Sequence, residues 1–256
     1  MPVEITLGGN LNDAVRIGNT VHRTAGPYTP AVHALLRYLE RAGYPAPRVV
    51  GMDAQGREVL RFIEGEAHSG TLKPLPDHVM ADAHVEEAGR LLRRYHDAVA
   101  DFRPAPNAHW RLVAPTAYEV ICHNDWSPWN ALMRNGRLEV MLDWDLAGPG
   151  TRLWDIANAA YCWAPLFTSH FDLEISERAR RLRSFLDAYG LDDRSNLLLT
   201  LRMRLIHVGE FVAREARAGD AGMQRLVDMN VPRLMFEDNV RYLDENWARL
   251  ERAIAG

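Results

Sequence analysis

The stretch CHNDWSPWNALMRNGRLEVMLDWD, residues 122–145, combines a β-hairpin pattern with an unusual density of polar side chains. The segments ALMR and RLEVML flank Asn135-Gly136, a pair that favours a type I′ turn because both of its central positions need positive φ. Aspartate, asparagine and histidine residues precede and follow this hairpin. The geometry of the turn therefore decides which of these polar side chains become neighbours.

The turn predicts a register for the two strands. If Arg134 faces Arg137, then Asn130 lies opposite Met141, on the same face as Asp143 two residues further on. Diagonal neighbours of this kind are about 7–8 Å apart at Cα, close enough for two side chains to meet around one cation. An amide oxygen and a carboxylate are hard donors that suit Mg²⁺. We therefore predict a Mg²⁺ site formed by Asn130 and Asp143.

Asp125 lies five residues before Asn130, in a loop that follows the apolar segment YEVIC and is stiffened by Pro128. A carboxylate held there can accept the proton of an attacking hydroxyl group while a metal ion neutralises a phosphoryl group. The spacing H-x-D-x-x-x-x-N, followed thirteen residues later by Asp143, matches a kinase catalytic loop and its metal-binding aspartate. The expected chemistry is phosphoryl transfer.

The segments HNDWSPWN, LDWDLAGPG and LWDIA resemble the corresponding motifs of the aminoglycoside phosphotransferase and choline kinase family. The resemblance implies that Asp125 is the catalytic base and that Asn130 and Asp143 hold Mg²⁺. It also implies that His123 braces the catalytic loop and that Asp155 fixes the loop structurally.

The resemblance spans residues 14–157 and implies an α+β, protein-kinase-like fold with two lobes. We expect residues 1–65 to form a small antiparallel nucleotide-binding lobe with one helix. Residues 66–256 are expected to form a larger, mainly helical lobe with the catalytic loop and the acceptor site. The implied substrates are ATP or GTP and a small molecule with a hydroxyl group, such as an aminoglycoside-like compound or an amino alcohol.

Local patterns in the first 65 residues agree with that expectation. Short strand-like segments, VEITL, AVRI, TVHRT, PRVVGMD and REVLRFIEG, surround one amphipathic segment. We predict a helix capped by Thr29, with Pro30 at its first position and a stop at Gly43. Its apolar face would contain Val32, Leu35, Leu36 and Leu39. The segment EGEAHSGTLKPLPDH interrupts all periodicity, so a domain hinge is expected near Gly65.

The nucleotide-binding signals are weaker. Gly8 and Gly9 offer a turn where backbone N–H groups would approach phosphate, although such a pair also occurs in ordinary turns. Arg23 stands where the family has lysine, and His33 stands where it usually has a helix glutamate, with Glu40 further along. Either ATP is held differently, with Arg23 contacting phosphate, or this lobe has lost nucleotide affinity.

The segment FIEG resembles the interlobe hinge, where backbone groups of Phe62, Ile63 and Glu64 would bind adenine.

Alternatives remain open for several acidic residues. Asp145 completes a D-x-D pair with Asp143, and is equally well interpreted as a metal ligand or as a residue that supports the loop. Asp155 could be a polar first-turn residue stabilised by the helix dipole. Two other functions compete with the kinase. One is a kinase-like binding module without transfer activity; the other is a metal-dependent hydrolase that uses His123, Asp125, Asp143 and Asp145.

Composition narrows the class of protein. The chain has 256 residues, 47% of them hydrophobic, and 30 basic and 34 acidic residues give a formal charge of −4 without a basic block. Nucleic acid is therefore not an expected partner. Cys122 and Cys162 are too few for a disulfide framework, and no apolar run reaches the length of a membrane span. We expect a cytoplasmic protein without membrane contact, whose oligomeric state the sequence leaves open.

Overall fold

The computed structural model describes residues 4–7, 14–68, 75–167 and 173–255. The predicted turn at Gly8 and Gly9 lies outside these described residues. Within them, no helix has an apolar run long enough to cross a membrane.

The chain divides into two compact units. The first contains Met1–Lys73 and Arg94–Arg152, and the second contains Pro74–Arg93 and Leu153–Gly256. Residues 94–152 thus share a unit with the N-terminal strands. The functional boundary after residue 65 stays a prediction.

The first unit contains a five-stranded antiparallel sheet. Each strand lies within one of the predicted segments, and the order in the sheet is β1-β2-β3-β5-β4. The strands are β1 Glu4–Leu7, β2 Ala14–Ile17, β3 Thr20–Arg23, β4 Val49–Met52 and β5 Glu58–Arg61. The sheet therefore places β5 directly beside β3, although 34 residues separate the two strands in the chain.

Helix α1 spans Thr29–Arg41, and its predicted apolar face is buried. The predicted cap is wrong: Thr29 is the first helical residue, Tyr28 is the N-cap, and the Thr29 hydroxyl accepts a hydrogen bond from Gly26 N at 2.9 Å. That hydroxyl instead closes the turn before the helix. The predicted stop is confirmed, since Gly43 has φ +69° just beyond the C-terminus, a conformation that glycine adopts without strain.

The hairpin consists of β8 Ala131–Arg134 and β9 Arg137–Met141, and β6 Glu66–Ala67 pairs with β8 as a third strand. Asn135 and Gly136 both have positive φ, as the turn prediction requires. Two shorter strands, β7 Val120–Cys122 and β10 Gly148–Gly150, pair with each other. A single-turn 3₁₀ helix, Pro128–Asn130, leads into β8.

The predicted hairpin register holds only next to the turn. Beyond Met133, which pairs with Leu138, the register shifts by one residue, and Leu132 pairs with Val140. The extra residue, Glu139, forms a β-bulge in β9. Asn130 consequently faces Leu142, whose N–H donates to Asn130 O at 2.8 Å. The predicted pairing of Asn130 with Met141 is wrong for this reason.

The second unit is helical in its described residues. Glycine permits close packing of the N-terminal part of α2 on α4, because a Cβ at Gly89 would lie 2.5 Å from Phe185 O. The helices of the chain beyond α1 are α2 Asp82–Ala98, α3 Arg152–Trp163, α4 Ile175–Tyr189, α5 Leu197–Arg217, α6 Ala221–Asp228, α7 Val231–Arg233 and α8 Val240–Ala255. A 3₁₀ turn, Asp77–Met80, precedes α2, and a π-helical segment, Leu234–Asn239, joins α7 to α8.

Candidate active site

His123 follows β7 directly and is completely buried. The backbone N–H of Asp125 donates to its Nδ1 at 3.2 Å, so Nδ1 carries no proton and Nε2 donates to Leu142 O at 3.1 Å. The imidazole thereby connects the loop at Asp125 with the residue before Asp143. Both ring nitrogens contact backbone groups, so the hydrolase alternative, which needs one of them as a metal ligand, is not supported.

Asn124 makes a second connection that the sequence analysis missed. It is buried, has φ +66°, and its Nδ2 donates to Leu146 O at 2.9 Å. Asparagine tolerates the left-handed conformation better than most residues. The only sequence signal was this residue type, next to His123 in the loop.

Asp125 and Asn130 form one hydrogen-bonded group. The amide nitrogen of Asn130 donates to Asp125 Oδ2 at 2.8 Å and to Asp125 O at 3.0 Å. The amide oxygen is then the atom that Asn130 can offer to a cation. The Asp125 carboxylate is half-buried and held at a fixed distance from that oxygen.

Asp143 has φ +57° and is the more exposed acidic residue of the D-x-D pair, with 39% of its side chain accessible. Its Oδ1 accepts a hydrogen bond from Arg23 Nη1 at 3.2 Å. A carboxylate and an amide oxygen are hard donors that Mg²⁺ prefers, and water or phosphate oxygens usually complete such a site. Because Asn130 faces Leu142 and not Met141, the strand pairing no longer places Asn130 and Asp143 on one face, and their joint binding of Mg²⁺ stays a prediction. The donor chemistry fits the predicted metal.

Asp145 is only 4% exposed. Its Oδ1 accepts a hydrogen bond from Arg23 Nη2 at 2.5 Å, and its Oδ2 accepts one from the Tyr28 hydroxyl at 3.2 Å. Burial raises the pKa of Asp145 to about 6, although Arg23 acts in the opposite direction. Of the two interpretations that the sequence left open, these contacts favour a supporting carboxylate that holds Arg23.

Arg23 lies at the centre of a buried charge cluster. Its Nε contacts Oε1 of Glu58, its direct partner across β3 and β5, while its other two nitrogens contact Asp143 and Asp145. Burial acts to lower the pKa of Arg23, but the three carboxylates outweigh it and raise that pKa above its ordinary value. His33 Nε2 lies 3.0 Å from Glu58 Oε2. Sequence reasoning missed Glu58, which had no motif around it.

The predicted hinge makes several contacts within the protein. Phe62 N donates to Asn19 O at 2.8 Å, and the Arg16 guanidinium lies 3.6 Å from the centre of the Phe62 ring. Arg16 also pairs with the Glu64 carboxylate at 2.9 Å, and Glu64 O accepts a hydrogen bond from Arg134 Nε at 3.1 Å. Backbone groups of Ile63 lie between these two anchored residues.

Asp155 lies in the first turn of α3, in the second unit, and its side chain is completely buried. Its predicted role in fixing the catalytic loop stays a prediction.

Comparison with known proteins identifies relatives of this chain. The model of the phosphotransferase enzyme family matches residues 103–195. The trifolitoxin immunity protein of Rhizobium leguminosarum bv. trifolii is 38% identical over 201 residues, which cover 72% of each chain.

Solved structures share the fold at low sequence identity. A choline/ethanolamine kinase family protein from Mesorhizobium loti superposes with a TM-score of 0.57 at 16% identity, covering 99% of this chain and 88% of the other. The amicoumacin kinase hAmiN, in complex with AMP-PNP, Ca²⁺ and Ami, gives a TM-score of 0.63 at 11% identity, with 91% and 88% covered. The gentamicin complex of APH(2″)-IIa gives 0.57 at 14% identity, with 94% and 93% covered. The predicted α+β, protein-kinase-like fold with two lobes is confirmed, and the chain belongs to the phosphotransferase enzyme family.

Proposed function

We propose that this phosphotransferase is a Mg²⁺-dependent kinase that transfers the γ-phosphoryl group of ATP, or of GTP, to a hydroxyl group of a small acceptor. One observation carries the proposal: Asn130 donates to the Asp125 carboxylate while His123 connects Asp125 N to Leu142 O. A base, an amide oxygen and the residue before Asp143 are thus held in one hydrogen-bonded unit.

In the proposed reaction the acceptor hydroxyl loses its proton to the Asp125 carboxylate. Its oxygen forms a bond to the γ-phosphorus while the bond from that phosphorus to the β–γ bridging oxygen breaks, and ADP leaves with the electron pair. Asn130 and Asp143 would hold Mg²⁺, which neutralises charge on the phosphates when bound. Arg23 would contact phosphate through its terminal nitrogens, and backbone atoms of Phe62, Ile63 and Glu64 would bind the base.

The acceptor we propose is an amine-bearing compound with a free hydroxyl group, either aminoglycoside-like or an amino alcohol. The related structures are named for choline and ethanolamine, for amicoumacin and for gentamicin. The curated relative is named for immunity to trifolitoxin. Phosphorylation of a toxic acceptor would provide immunity by changing the charge and shape that its target recognises. A test panel should therefore contain aminoglycosides, choline, ethanolamine, amicoumacin and trifolitoxin.

Asp125→Asn tests the proposed base. The amide keeps the size of the side chain but cannot accept the acceptor proton, so we expect turnover to fall at least about 100-fold. Nucleotide binding, measured by calorimetry, should stay within twofold of wild type. Asp101→Asn, at an exposed residue in the same unit, is the matched control and should leave both quantities unchanged. Undiminished turnover in Asp125→Asn would exclude Asp125 as the base.

The binding module without transfer activity is the second candidate, because Arg23 pairs with Asp143, the proposed metal ligand. Thermal unfolding of wild type and Asp143→Ala distinguishes the two functions. A kinase should need ATP and Mg²⁺ together for stabilisation, which at about 100 times Kd amounts to roughly 2.7 kcal/mol or about 5–10 °C. Asp143→Ala should abolish that shift. Binding of panel compounds without turnover, and without any shift by Mg²⁺ and ATP, would favour the binding module.

A further inference from the structure

We propose that Glu58 on β5 takes the place of the helix glutamate and positions Arg23 for the phosphates of the nucleotide. This inference rests on the proposed kinase function and deepens it. The resemblance calls for a lysine on β3 paired with a glutamate on α1, and the chain has Arg23 and His33 at those places. Glu58 supplies the missing carboxylate from a different element.

The sheet register brings Glu58 to Arg23. The two residues are direct partners across β3 and β5, so their side chains lie on the same face of the sheet. Glu58 is 1% exposed and its Oε1 contacts Arg23 Nε. The Nε contact is an ion pair without hydrogen-bond geometry, so Glu58 holds the guanidinium in place by charge and leaves its two terminal nitrogens to other partners. Those nitrogens contact Asp143 and Asp145.

Helix α1 takes part through His33. Its Nε2 lies 3.0 Å from Glu58 Oε2, so each carboxylate oxygen of Glu58 contacts one neighbour. The helix thus holds the glutamate by a hydrogen bond instead of providing it. Glu40, the glutamate of α1 that the sequence offered, has a side chain that is 49% exposed, and it contacts Arg48 at 3.7 Å. Its position does not suit a buried counter-ion for Arg23.

The balance of charges explains why Glu58 matters for a metal site. Three carboxylates contact the guanidinium of Arg23, and Arg111 also acts electrostatically on Asp145. Three carboxylates thus face two guanidinium groups, and the remaining negative charge favours a further cation nearby. Asp143 is the most exposed of the three and is the proposed Mg²⁺ ligand. If Asp143 turns from Arg23 to a metal ion, Glu58 and Asp145 still hold the guanidinium in the same orientation. Glu58 therefore lets Arg23 remain in place when a metal ion binds to Asp143.

Glu58→Gln is the direct test, since glutamine keeps the shape of the side chain and removes its charge. We expect at least a tenfold weaker affinity for ATP with Mg²⁺ by calorimetry and a higher KM for ATP, with a smaller change in kcat. Glu40→Gln is the matched control and should stay within twofold of wild type in all three quantities. Equal affinity in wild type and in folded Glu58→Gln would overturn the proposal.

A double-mutant cycle separates positioning of Arg23 from a general structural role. If Glu58 acts through Arg23, then Arg23→Met/Glu58→Gln should bind ATP within twofold of Arg23→Met alone. A further loss of tenfold or more in the double variant would overturn the proposal. Glu58→Gln leaves the guanidinium of Arg23 paired with Asp143 and Asp145, so the single variant should fold and its ATP affinity can be measured directly.

Returning the carboxylate to the helix provides a rescue test. His33→Glu/Glu58→Gln should recover at least tenfold of the ATP affinity lost in Glu58→Gln, because the new carboxylate would lie beside the old one. No recovery in a folded double variant would argue against the proposal that Glu58 takes the place of the helix glutamate. Absence of nucleotide binding in the wild-type protein would overturn both this inference and the kinase function. Equal binding by wild type and Glu58→Gln overturns the role of Glu58 alone.

Discussion

The hydroxyl of Tyr28 offers a way to measure how firmly Asp145 is built into the site. It donates to Asp145 Oδ2 at 3.2 Å, and both side chains are buried. Tyr28→Phe removes this donor, and with it the acceptor of a long hydrogen bond from Arg111 Nη1 at 3.5 Å. The buried carboxylate that holds Arg23 would then lose the hydrogen bond from this hydroxyl.

The expected cost follows from the kind of hydrogen bond that is lost. A hydrogen bond to a charged group contributes about 1.5–3 kcal/mol, and 3.2 Å is long for a hydroxyl donor. We therefore expect Tyr28→Phe to lower the free energy of unfolding by about 1.5–2 kcal/mol, the lower part of that range. Tyr118→Phe is the matched control: its hydroxyl donates to Phe102 O at 3.1 Å, but the residue is 47% exposed and water can replace the contact. Its cost should stay below about 0.5 kcal/mol.

Urea denaturation of the three proteins at pH 7.5 measures both effects. The midpoints should shift while the slopes stay equal, because the surface exposed on unfolding does not change. A loss in Tyr118→Phe as large as that in Tyr28→Phe would refute the reasoning, since burial and the charge of the acceptor would then not determine the cost. No loss in Tyr28→Phe would show that Asp145 does not depend on this donor.

Three further predictions concern stability. Gly148→Ala should lower the free energy of unfolding, measured by urea denaturation, by about 3 kcal/mol. The added Cβ would lie 1.8 Å from the Leu112 carbonyl oxygen, so the backbone at one of these two residues must move. Hydrogen bonds from neighbouring arginines, Arg180 foremost, lower the pKa of Glu177 to about 2. Since the folded pKa lies below the unfolded one, this contribution is complete above about pH 4.5 and is lost as pH falls towards 2. Glu177→Gln should therefore lower stability by about 1 kcal/mol at pH 7 and by less at pH 3, as thermal unfolding would show. Asn135→Ala should cost about 1 kcal/mol by urea denaturation, because its φ is +53°.

Matched substitutions give each of these a control. Pro149→Ala, next to the crowded glycine, should cost less than Gly148→Ala, and equal losses would contradict the steric argument. Glu174→Gln changes an exposed residue at the start of α4 and should leave the pH dependence intact. If Glu174→Gln reduced the loss of stability at low pH as much as Glu177→Gln does, the attribution of that loss to Glu177 would be wrong. Asn135→Gly should be nearly neutral, and a cost equal to that of Asn135→Ala would rule out backbone strain as the cause.

Local features of the fold could be predicted because neighbouring residues determine them. The turn at Asn135-Gly136 and the end of α1 at Gly43 depend on the φ values that these residue types accept. The apolar face of α1 follows from helical spacing alone. The five strands of the sheet followed from short apolar segments between turns.

Errors arose where the local sequence is compatible with more than one hydrogen-bonding arrangement. The hairpin register shifted at Glu139, because a β-bulge leaves no mark in a sequence of ordinary strand residues. Thr29 accepts a hydrogen bond from Gly26 N instead of capping the helix, so its hydroxyl belongs to the turn that precedes α1. In both cases several arrangements fit the local sequence, and the structure shows which of them forms.

The sequence by itself determined the composition of the loop from His123 to Asn130 and its spacing from Asp143, since a motif lies within one continuous stretch. Only the tertiary structure decided which carboxylates surround Arg23, the residue that stands where the family has lysine. Glu58 reaches Arg23 because β5 lies beside β3, and Asp145 reaches it across 122 residues of chain. A charge cluster depends on distances in space, and the side chains that balance Arg23 carry no common sequence pattern by which they could be recognised.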